Sequence, residues 1–433
     1  MGFNTLPFIF IFLPVFLAVY YLMPERLRNG VLTLGSLVFY LLGTWKRPWC
    51  LALLLGLMAL TWLSGRKLAG SKPLLVGNLL VLGLCLFGFK YAGLLGSGIA
   101  LPLGLSFYSF QMAAYVIDVY RGRMEPEECP VSYAAEVLMF PKLLSGPLMD
   151  PAELKAQMYR RTCTLRELDA GLRDFIIGLS MKVLLANQIG GLWRQVKTIG
   201  FESVSTPMAW LGLVAYSLQL YLDFCGYSWM AIGVGEMLGF RLPRNFEHPY
   251  AARSMRDFWR RWHIPRGGSK KGEGRTYLNL LVVWLFTGLW HGSTLNFLLW
   301  GLFLFALISL ERLGWGKVLR RSQVISRLYM LLVIPLSWML FAIPSLKDIG
   351  SYIGRLFAFS GGTAVHARDF LVYGRQYAVV LVIGLLVSTP LPEKLWRRIR
   401  TSPLGTVLLL VLFWVCVYCM AVATNDPFMY FSF

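Results

Sequence analysis

Charged residues are scarce in this chain. Lys, Arg, Asp and Glu make up 15% of the 433 residues, whereas 57% are hydrophobic. A soluble globular domain carries about 25% charged residues, so the composition argues against a soluble protein. The apolar stretches instead approach the roughly 20 residues that a helix needs to cross a bilayer. They run continuously, without the alternation of a barrel strand, and this pattern predicts an all-α polytopic membrane protein.

Several catalytic signatures are also missing. The sequence has no G-x-S-x-G, no H-E-x-x-H and no G-x-G-x-x-G after a strand, which argues against a self-contained serine hydrolase or zinc enzyme. The seven cysteines are mostly isolated in apolar runs. Even the C-x-x-C pair, Cys416 and Cys419, lies inside an apolar run, so we expect core packing there and not a redox or metal site.

The first apolar segment lacks the basic residues that precede the core of a signal peptide. Arg26 and Arg28 come after it, the reverse of a cleavable signal, so we expect a retained first span. The sequence predicts one integral membrane domain, 1–433, with about 10 to 12 spans. The predicted spans lie near residues 3–22, 30–43, 49–64, 74–95, 103–120, 170–189, 207–224, 277–292, 294–310, 327–344, 372–390 and 403–424.

Acidic residues are few, with 22 Asp and Glu against 42 Lys and Arg, a net charge of +20. The basic residues lie in short loops between apolar spans, which argues against a nucleic-acid-binding protein. Cytoplasmic loops of membrane proteins carry such an excess of Lys and Arg. Applied to this chain, that rule puts the 253–275 loop inside and predicts that both termini and the 345–370 loop are extracytoplasmic.

Two regions do not fit a plain membrane crossing. Residues 131–149 end in FPKLLSGP, and residues 226–240 are short and punctuated by glycine. Proline and glycine break helices, and irregular backbone at membrane depth must be buried in protein or line a water-filled cavity. We therefore expect broken or re-entrant segments in both regions.

His291 is the most informative of the four histidines. It ends the apolar run 277–292, and an ionisable residue at membrane depth is a functional candidate. Histidine is also well matched to proton transfer near neutral pH. Trp290 would wall off water and Gly292 would let a substrate approach the backbone. The alternative is a structural histidine that packs two helices.

His263 closes the stretch DFWRRWH, in which the aromatic and the charged side chains fall on different faces of a helix. That pattern is typical of an amphipathic helix at the cytoplasmic interface, with tryptophans at headgroup level. The following run, 266–275, is basic and rich in glycine. Its Lys and Arg charges and backbone N–H groups could bind phosphates. The alternative is a flexible charged loop. Buried aspartates need partners, so we expect structural pairing for Asp118 and Asp223.

At these residues the chain resembles the membrane-bound O-acyltransferase family, in its alginate O-acetyltransferase branch. The resemblance is collinear and covers the family-like core, 101–433, whereas residues 1–100 match only in hydropathy. The matching motifs are LPLGLSFYSFQ (101–111), FPKLLSGP (140–147), QLYLD (219–223), GYS (226–228), RLPRNF (241–246), FWRRWH (258–263), GLWHG (288–292) and NDPF (425–428). The chain differs from the family after His263, where Ile264 leads directly into PRGG and a stretch on the donor side is missing.

The resemblance implies a ring of tilted helices around a central funnel, in which a cytoplasmic acyl donor meets an extracytoplasmic acceptor. It implies that His291 is the catalytic residue and that His263 is a second important histidine. We expect acyl transfer, most simply of acetyl from acetyl-CoA as donor substrate with no bound cofactor. Donor or substrate contacts are expected from Trp290, Asp223, Arg266, Lys270, Lys271 and Arg275.

The expected acceptor is an envelope polysaccharide, or a serine on an extracytoplasmic partner such as an SGNH-hydrolase-like protein that relays the acyl group. The expected location is the plasma or inner membrane. D-alanyl transfer to teichoic acid is a related alternative. A non-catalytic scaffold and a polymer transporter are rivals from other classes. The missing stretch after His263 favours the scaffold, and the absence of an inverted repeat argues against the transporter.

Overall fold

The computed structural model of the chain describes residues 2–96, 99–262, 273–357 and 367–423. Helices follow one another along these ranges, which contain one isolated bridge between Phe246 and Trp262 but no strand. The all-α prediction is confirmed. The helices are α1 (Phe8–Leu22), α2 (Arg28–Thr44), α3 (Trp49–Gly65), α4 (Lys72–Tyr91), α5 (Leu105–Tyr120), α6 (Pro130–Leu138), α7 (Phe140–Leu143), α8 (Pro151–Arg160), α9 (Leu165–Ile199), α10 (Thr206–Met237), α11 (Met255–Arg261), α12 (Glu273–His291), α13 (Leu295–Arg321), α14 (Gln323–Ala342), α15 (Leu346–Leu356), α16 (Asp369–Val387), α17 (Pro390–Ile399) and α18 (Pro403–Val422).

Seven helices within the described residues are long and apolar enough to cross a membrane. They are α4, α9, α10, α13, α14, α16 and α18. Helices α1 and α3 are apolar but shorter. Every span predicted from the sequence lies on a helix, so the multi-pass prediction is confirmed. The number of crossings stays a prediction, because α2, α5 and α12 also match predicted spans but do not reach the same length and apolarity.

The chain divides into two compact units. Unit 1 comprises Met1–Leu179, Tyr227–Pro243 and Met420–Val422, and unit 2 comprises Ser180–Gly226, Arg244–Cys419 and Ala423–Phe433. The predicted site residues that the structure describes all belong to unit 2. They are Asp223, Arg275, Trp290 and His291.

The broken segment predicted for residues 131–149 is present in unit 1. Helix α6 ends at Leu138, Met139 leaves the helical region, and α7 begins at Phe140 with Pro141 in its first turn. Proline cannot donate the backbone hydrogen bond that would continue α6. The break places the Phe140 ring 5.2 Å from Phe16 and 5.3 Å from Phe39, at the centre of an aromatic core.

A second broken segment was expected at residues 226–240, and that expectation is wrong. Helix α10 continues unbroken to Met237. Its glycines serve close packing within unit 1, because a Cβ on Gly233 would lie 2.5 Å from the carbonyl oxygen of Gly171, and a Cβ on Gly171 would lie 2.3 Å from that of Gly233. Small residues allow helix backbones to approach this closely.

Candidate active site

His291 is the last residue of α12, just before the short connection to α13. The two helices lie close together because their contact surfaces carry glycine. A Cβ on Gly288 would lie 2.6 Å from the carbonyl oxygen of Phe297, and a Cβ on Gly301 would lie 2.3 Å from that of Trp284. No side chain fits at either position without displacing backbone. The backbone contact between α12 and α13 therefore fixes His291 beside the first turn of α13.

Aromatic rings surround the imidazole of His291. Its centroid lies 4.5 Å from the ring of Trp290 and 5.0 Å from those of Trp300 and Phe341, all edge-to-face. Phe297 stacks more loosely at 6.4 Å. His291 itself is half-buried. These aromatic rings exclude water from much of the imidazole, but part of His291 remains accessible.

Gly292 has a packing role that the sequence did not indicate. A Cβ at this position would lie 2.1 Å from the Phe297 ring. Phe297 therefore occupies the space where a side chain at position 292 would lie, and the glycine lets Phe297 pack next to His291. Approach of a substrate to the Gly292 backbone stays a prediction. Trp290 is half-buried against the imidazole, and its role as a wall against water stays a prediction.

An aromatic cluster extends from His291 into unit 2. We define it as Trp259, Trp262, Trp284, Trp300, Trp338 and Phe341. Trp300, which contacts His291, lies 6.0 Å from Trp338, and Trp338 lies 5.1 Å from Trp262. Trp262 directly precedes His263 in the sequence. His263 lies outside the described residues, but its neighbour in the chain and His291 contact the same cluster.

Helix α11 carries the stretch that was predicted to anchor the protein at the membrane surface. Its polar face is as expected, with the Arg261 Nε atom 3.0 Å from the Asp257 carboxylate. Its aromatic side chains differ from the expectation, because Phe258 and the following Trp262 are buried in unit 2. Trp262 packs on Phe246 and Trp338. Trp262 therefore packs inside the protein and does not anchor the helix in the membrane surface, whereas its depth in the membrane stays a prediction.

Asp223 forms a buried ion pair. Its carboxylate lies 2.7 Å from the Lys182 Nζ atom, and both side chains are almost completely buried. Lys182 also donates to the Asn187 Oδ1 atom at 2.7 Å, from a π-helical turn, Met181–Ala186, inside α9. The structural pairing expected for a buried aspartate is confirmed, and Asp118 likewise lies 3.4 Å from Arg123. Substrate contact by Asp223 stays a prediction.

The sequence analysis missed Lys182, although a signal was present. Lys182 lies within the predicted span 170–189, where a charged residue is costly and needs a partner. Attention to every ionisable residue inside a span, and not to aspartate and histidine alone, would have found it.

Most of the basic run lies outside the described residues. Arg266, Lys270 and Lys271 fall in the range 263–272, and the structure says nothing of them. Arg275 is described, and it is exposed in the first turns of α12. The proposed donor contacts therefore stay a prediction.

His248 takes part in a separate polar cluster around Glu393. The Glu393 carboxylate accepts hydrogen bonds from Arg244 at 2.8 Å and from Arg397 at 2.6 Å, and its other oxygen lies 3.0 Å from the His248 Nε2 atom. Burial alone would raise the pKa of Glu393, but these arginines and His248 outweigh it and lower the pKa to about 2. The cluster joins the 244–250 segment to α17.

Comparison with known proteins identifies the family of the chain. The model of the membrane-bound O-acyltransferase family matches residues 130–347, a range that contains Asp223 and His291. The chain is 31% identical to the probable alginate O-acetylase AlgI of Pseudomonas putida, over all of both chains. It is 30% identical to the peptidoglycan O-acetyltransferase of Helicobacter pylori, over 85% of this chain and 83% of that protein.

A more distant relative bears on the D-alanyl alternative. The chain is 23% identical to the teichoic acid D-alanyltransferase of Bacillus subtilis, over 46% of this chain and 56% of that protein. The O-acetylating relatives are more similar and cover more of the chain. The helical multi-pass fold, the family match and these relatives show that the chain is an O-acyltransferase that belongs to the membrane-bound O-acyltransferase family.

Proposed function

We propose that this O-acyltransferase transfers an acetyl group from a cytoplasmic thioester, acetyl-CoA, to a hydroxyl group in the cell envelope. The choice of acetyl is supported by two relatives that match most of the chain, which are named as a probable alginate O-acetylase and a peptidoglycan O-acetyltransferase. The acceptor is an envelope polysaccharide, or a serine on an extracytoplasmic SGNH-hydrolase-like partner that passes the group on. The protein acts in the plasma or inner membrane.

His291 is the proposed general base. Its imidazole takes the proton of the acceptor hydroxyl as the oxygen attacks the thioester carbonyl. The new C–O ester bond forms, the C–S bond breaks, and the CoA sulfur leaves and takes up a proton to become the thiol. A positioned base typically contributes 10²- to 10⁴-fold to the rate. His263 is the proposed second histidine of the site, and Arg266, Lys270, Lys271 and Arg275 are proposed to bind the phosphates of CoA.

The observation that carries this proposal is the setting of His291. It is an ionisable side chain at the end of a predicted span, half-buried among Trp290, Trp300 and Phe341. The aromatic cluster also reaches Trp262, beside His263. A base held by packing, partly accessible and shielded from bulk water suits transfer of an acyl group that water would otherwise hydrolyse.

The test is acetyl transfer by purified protein supplied with radiolabelled acetyl-CoA and an oligosaccharide acceptor. We expect His291→Gln to lower kcat at least about a hundredfold, because glutamine keeps a polar side chain but cannot exchange a proton at neutral pH. His248→Gln is the matched control, and it should keep activity because His248 belongs to the Glu393 cluster. A His291→Gln variant with normal turnover would remove His291 from the role of base.

The same assay separates the rival functions. Neutralising Lys270, Lys271 and Arg275 together should raise the KM for acetyl-CoA at low ionic strength, since salt screens exposed phosphate contacts. Faster turnover of a D-alanyl thioester than of acetyl-CoA would favour the D-alanyl alternative. No turnover with either thioester by folded wild-type protein would favour a non-catalytic scaffold or a transporter.

A further inference from the structure

Unit 2 contains a cavity that none of the proposed reaction residues lines. Its volume is about 410 Å³, within the roughly 300–1,000 Å³ of small-molecule sites. Helices α10, α14 and α16 form its walls, and the turn Pro249–Ala251 and the start of α17 form one end. The cavity is therefore a built site between membrane-spanning helices and has no role in the chemistry described above.

The long wall of the cavity is apolar and continues onto the outer surface. Leu331, Ile334 and Leu385 line it. Leu331 is 70% exposed and Leu385 is 49% exposed. Both residues lie on helices that are long and apolar enough to cross a membrane, so the medium beside them is lipid. An occupant that enters from this side must be apolar along most of its length.

One end of the cavity carries a cation. Arg327 lines this end, is exposed, and donates one guanidinium hydrogen bond to the Ala251 carbonyl at 2.8 Å. Among the residues that the structure describes, no carboxylate pairs with it. Glu393, the acidic residue of α17, is already bound by Arg244 and Arg397. The remaining N–H groups of Arg327 are suited to a charge-assisted bond with a phosphate.

Further arginines lie on the helix before α14 and on α17, whose first residue lines the cavity. Arg320 and Arg321 end α13, just before α14 begins, and Arg397 and Arg398 lie on α17. Basic pockets between membrane helices bind anionic lipid headgroups. An apolar channel open to lipid with an arginine at one end matches an amphiphile that has a hydrocarbon chain and a phosphate.

We propose that this cavity is a binding site for an anionic phospholipid. One acyl chain lies along Leu331, Ile334 and Leu385, and the phosphate is held by Arg327. The site requires two properties of its ligand. The apolar wall favours a hydrocarbon chain, and Arg327 favours a negatively charged headgroup. A free phosphate compound has the negative charge but no hydrocarbon chain. A zwitterionic lipid has the chain but no net negative charge.

Native mass spectrometry of the delipidated full-length protein tests this site. Phosphatidylglycerol and phosphatidylcholine with the same acyl chains are titrated separately. We expect phosphatidylglycerol to bind about tenfold more tightly at this site, a difference of ~1.4 kcal/mol. Arg327→Gln should abolish that preference. Arg321→Gln is the matched control and should keep it, because Arg321 is an exposed cation at the end of α13 that does not line the cavity.

Two further measurements test the chain-binding half. Leu385→Trp fills the cavity from its exposed wall and should weaken both lipids alike. Glycerol phosphate, the headgroup without chains, should compete poorly with phosphatidylglycerol. Equal affinity for the two lipids, or the same loss in Arg321→Gln as in Arg327→Gln, would overturn the proposal. Competition by glycerol phosphate as strong as that by the intact lipid would also overturn it, because the site would then bind phosphate alone.

Discussion

At the scale of single residues, the buried pair of Lys182 and Asp223 has a large electrostatic consequence. Burying an ion costs several kcal/mol, and this cost is offset only while the partner and further hydrogen bonds are in place. Here the partner is 2.7 Å away, and Asn187 accepts a second hydrogen bond from the ammonium group. Removing one of the two charges should therefore lower the free energy of unfolding more than removing both.

We predict that Asp223→Asn lowers the free energy of unfolding by roughly 3–5 kcal/mol. The double variant Lys182→Met with Asp223→Leu should recover most of that loss, because it leaves no unpaired buried charge. Thermal unfolding in detergent measures both. The acetyl transfer assay then distinguishes two roles of Asp223. If the double variant is active, Asp223 has a structural role. If the double variant is stable but inactive, the result supports the predicted substrate contact. An unchanged melting temperature in Asp223→Asn would contradict the ion pair.

The sequence predicted the need of Asp223 for a partner, but not the partner itself. A buried carboxylate must be paired whatever the fold is, so that part follows from local chemistry. The identity of the partner depends on which residues of α9 point towards α10. A π-helical turn in α9 changes which residues do so. For the same reason His291 and the adjacent Trp290 were identified from their place in an apolar run, whereas the other rings around His291 come from α13 and α14.

At the scale of the helix, glycine decides how α12 and α13 meet and therefore where His291 lies. A Cβ on Gly301 would lie 2.3 Å from the Trp284 carbonyl oxygen. A backbone carbonyl cannot move away from an added Cβ as easily as a flexible side chain can. The sequence could not separate this role from helix breaking, because glycine serves both, and the unbroken helix at residues 226–240 is an example of that ambiguity.

We predict that Gly301→Ala lowers the free energy of unfolding by about 1–3 kcal/mol, as overpacking typically does, and also lowers acetyl transfer because His291 moves. Gly350→Ala is the matched control. Gly350 lies exposed within α15, and nothing lies within 4 Å of a Cβ built on it. Alanine is the better helix former by about 1 kcal/mol, so the control should melt at the same temperature or slightly higher. A normal melting temperature and activity in Gly301→Ala would contradict the close contact.

At the scale of the whole molecule, the sequence was most informative about helices. Long apolar runs must be helical in lipid whatever their neighbours are, and each predicted span lies on a helix. Sidedness rests on the distribution of Lys and Arg alone and stays a prediction. The natural Cys129 is exposed, in a loop predicted to be cytoplasmic, and Lys347 is exposed on α15, within the segment 345–370 that was predicted to be outside.

We predict that a membrane-impermeant thiol reagent added to intact cells labels a Lys347→Cys variant and leaves Cys129 unlabelled. A permeant reagent should label both, which confirms that Cys129 can react. The physical basis is the retention of positively charged loops on the cytoplasmic side. Labelling of Cys129 alone by the impermeant reagent would reverse the proposed orientation of the chain.

The ion pair also constrains how the chain is made. Lys182 lies within α9, and its partner Asp223 belongs to the next helix, α10. A ribosome adds about 5–20 residues per second, so α9 waits on the order of seconds before its counter-charge is synthesised. A lone lysine at the centre of a span costs about 2.5–3.5 kcal/mol during translocon insertion. Helix α9 should therefore remain at the translocon until α10 arrives, and the two should enter the bilayer as one hairpin.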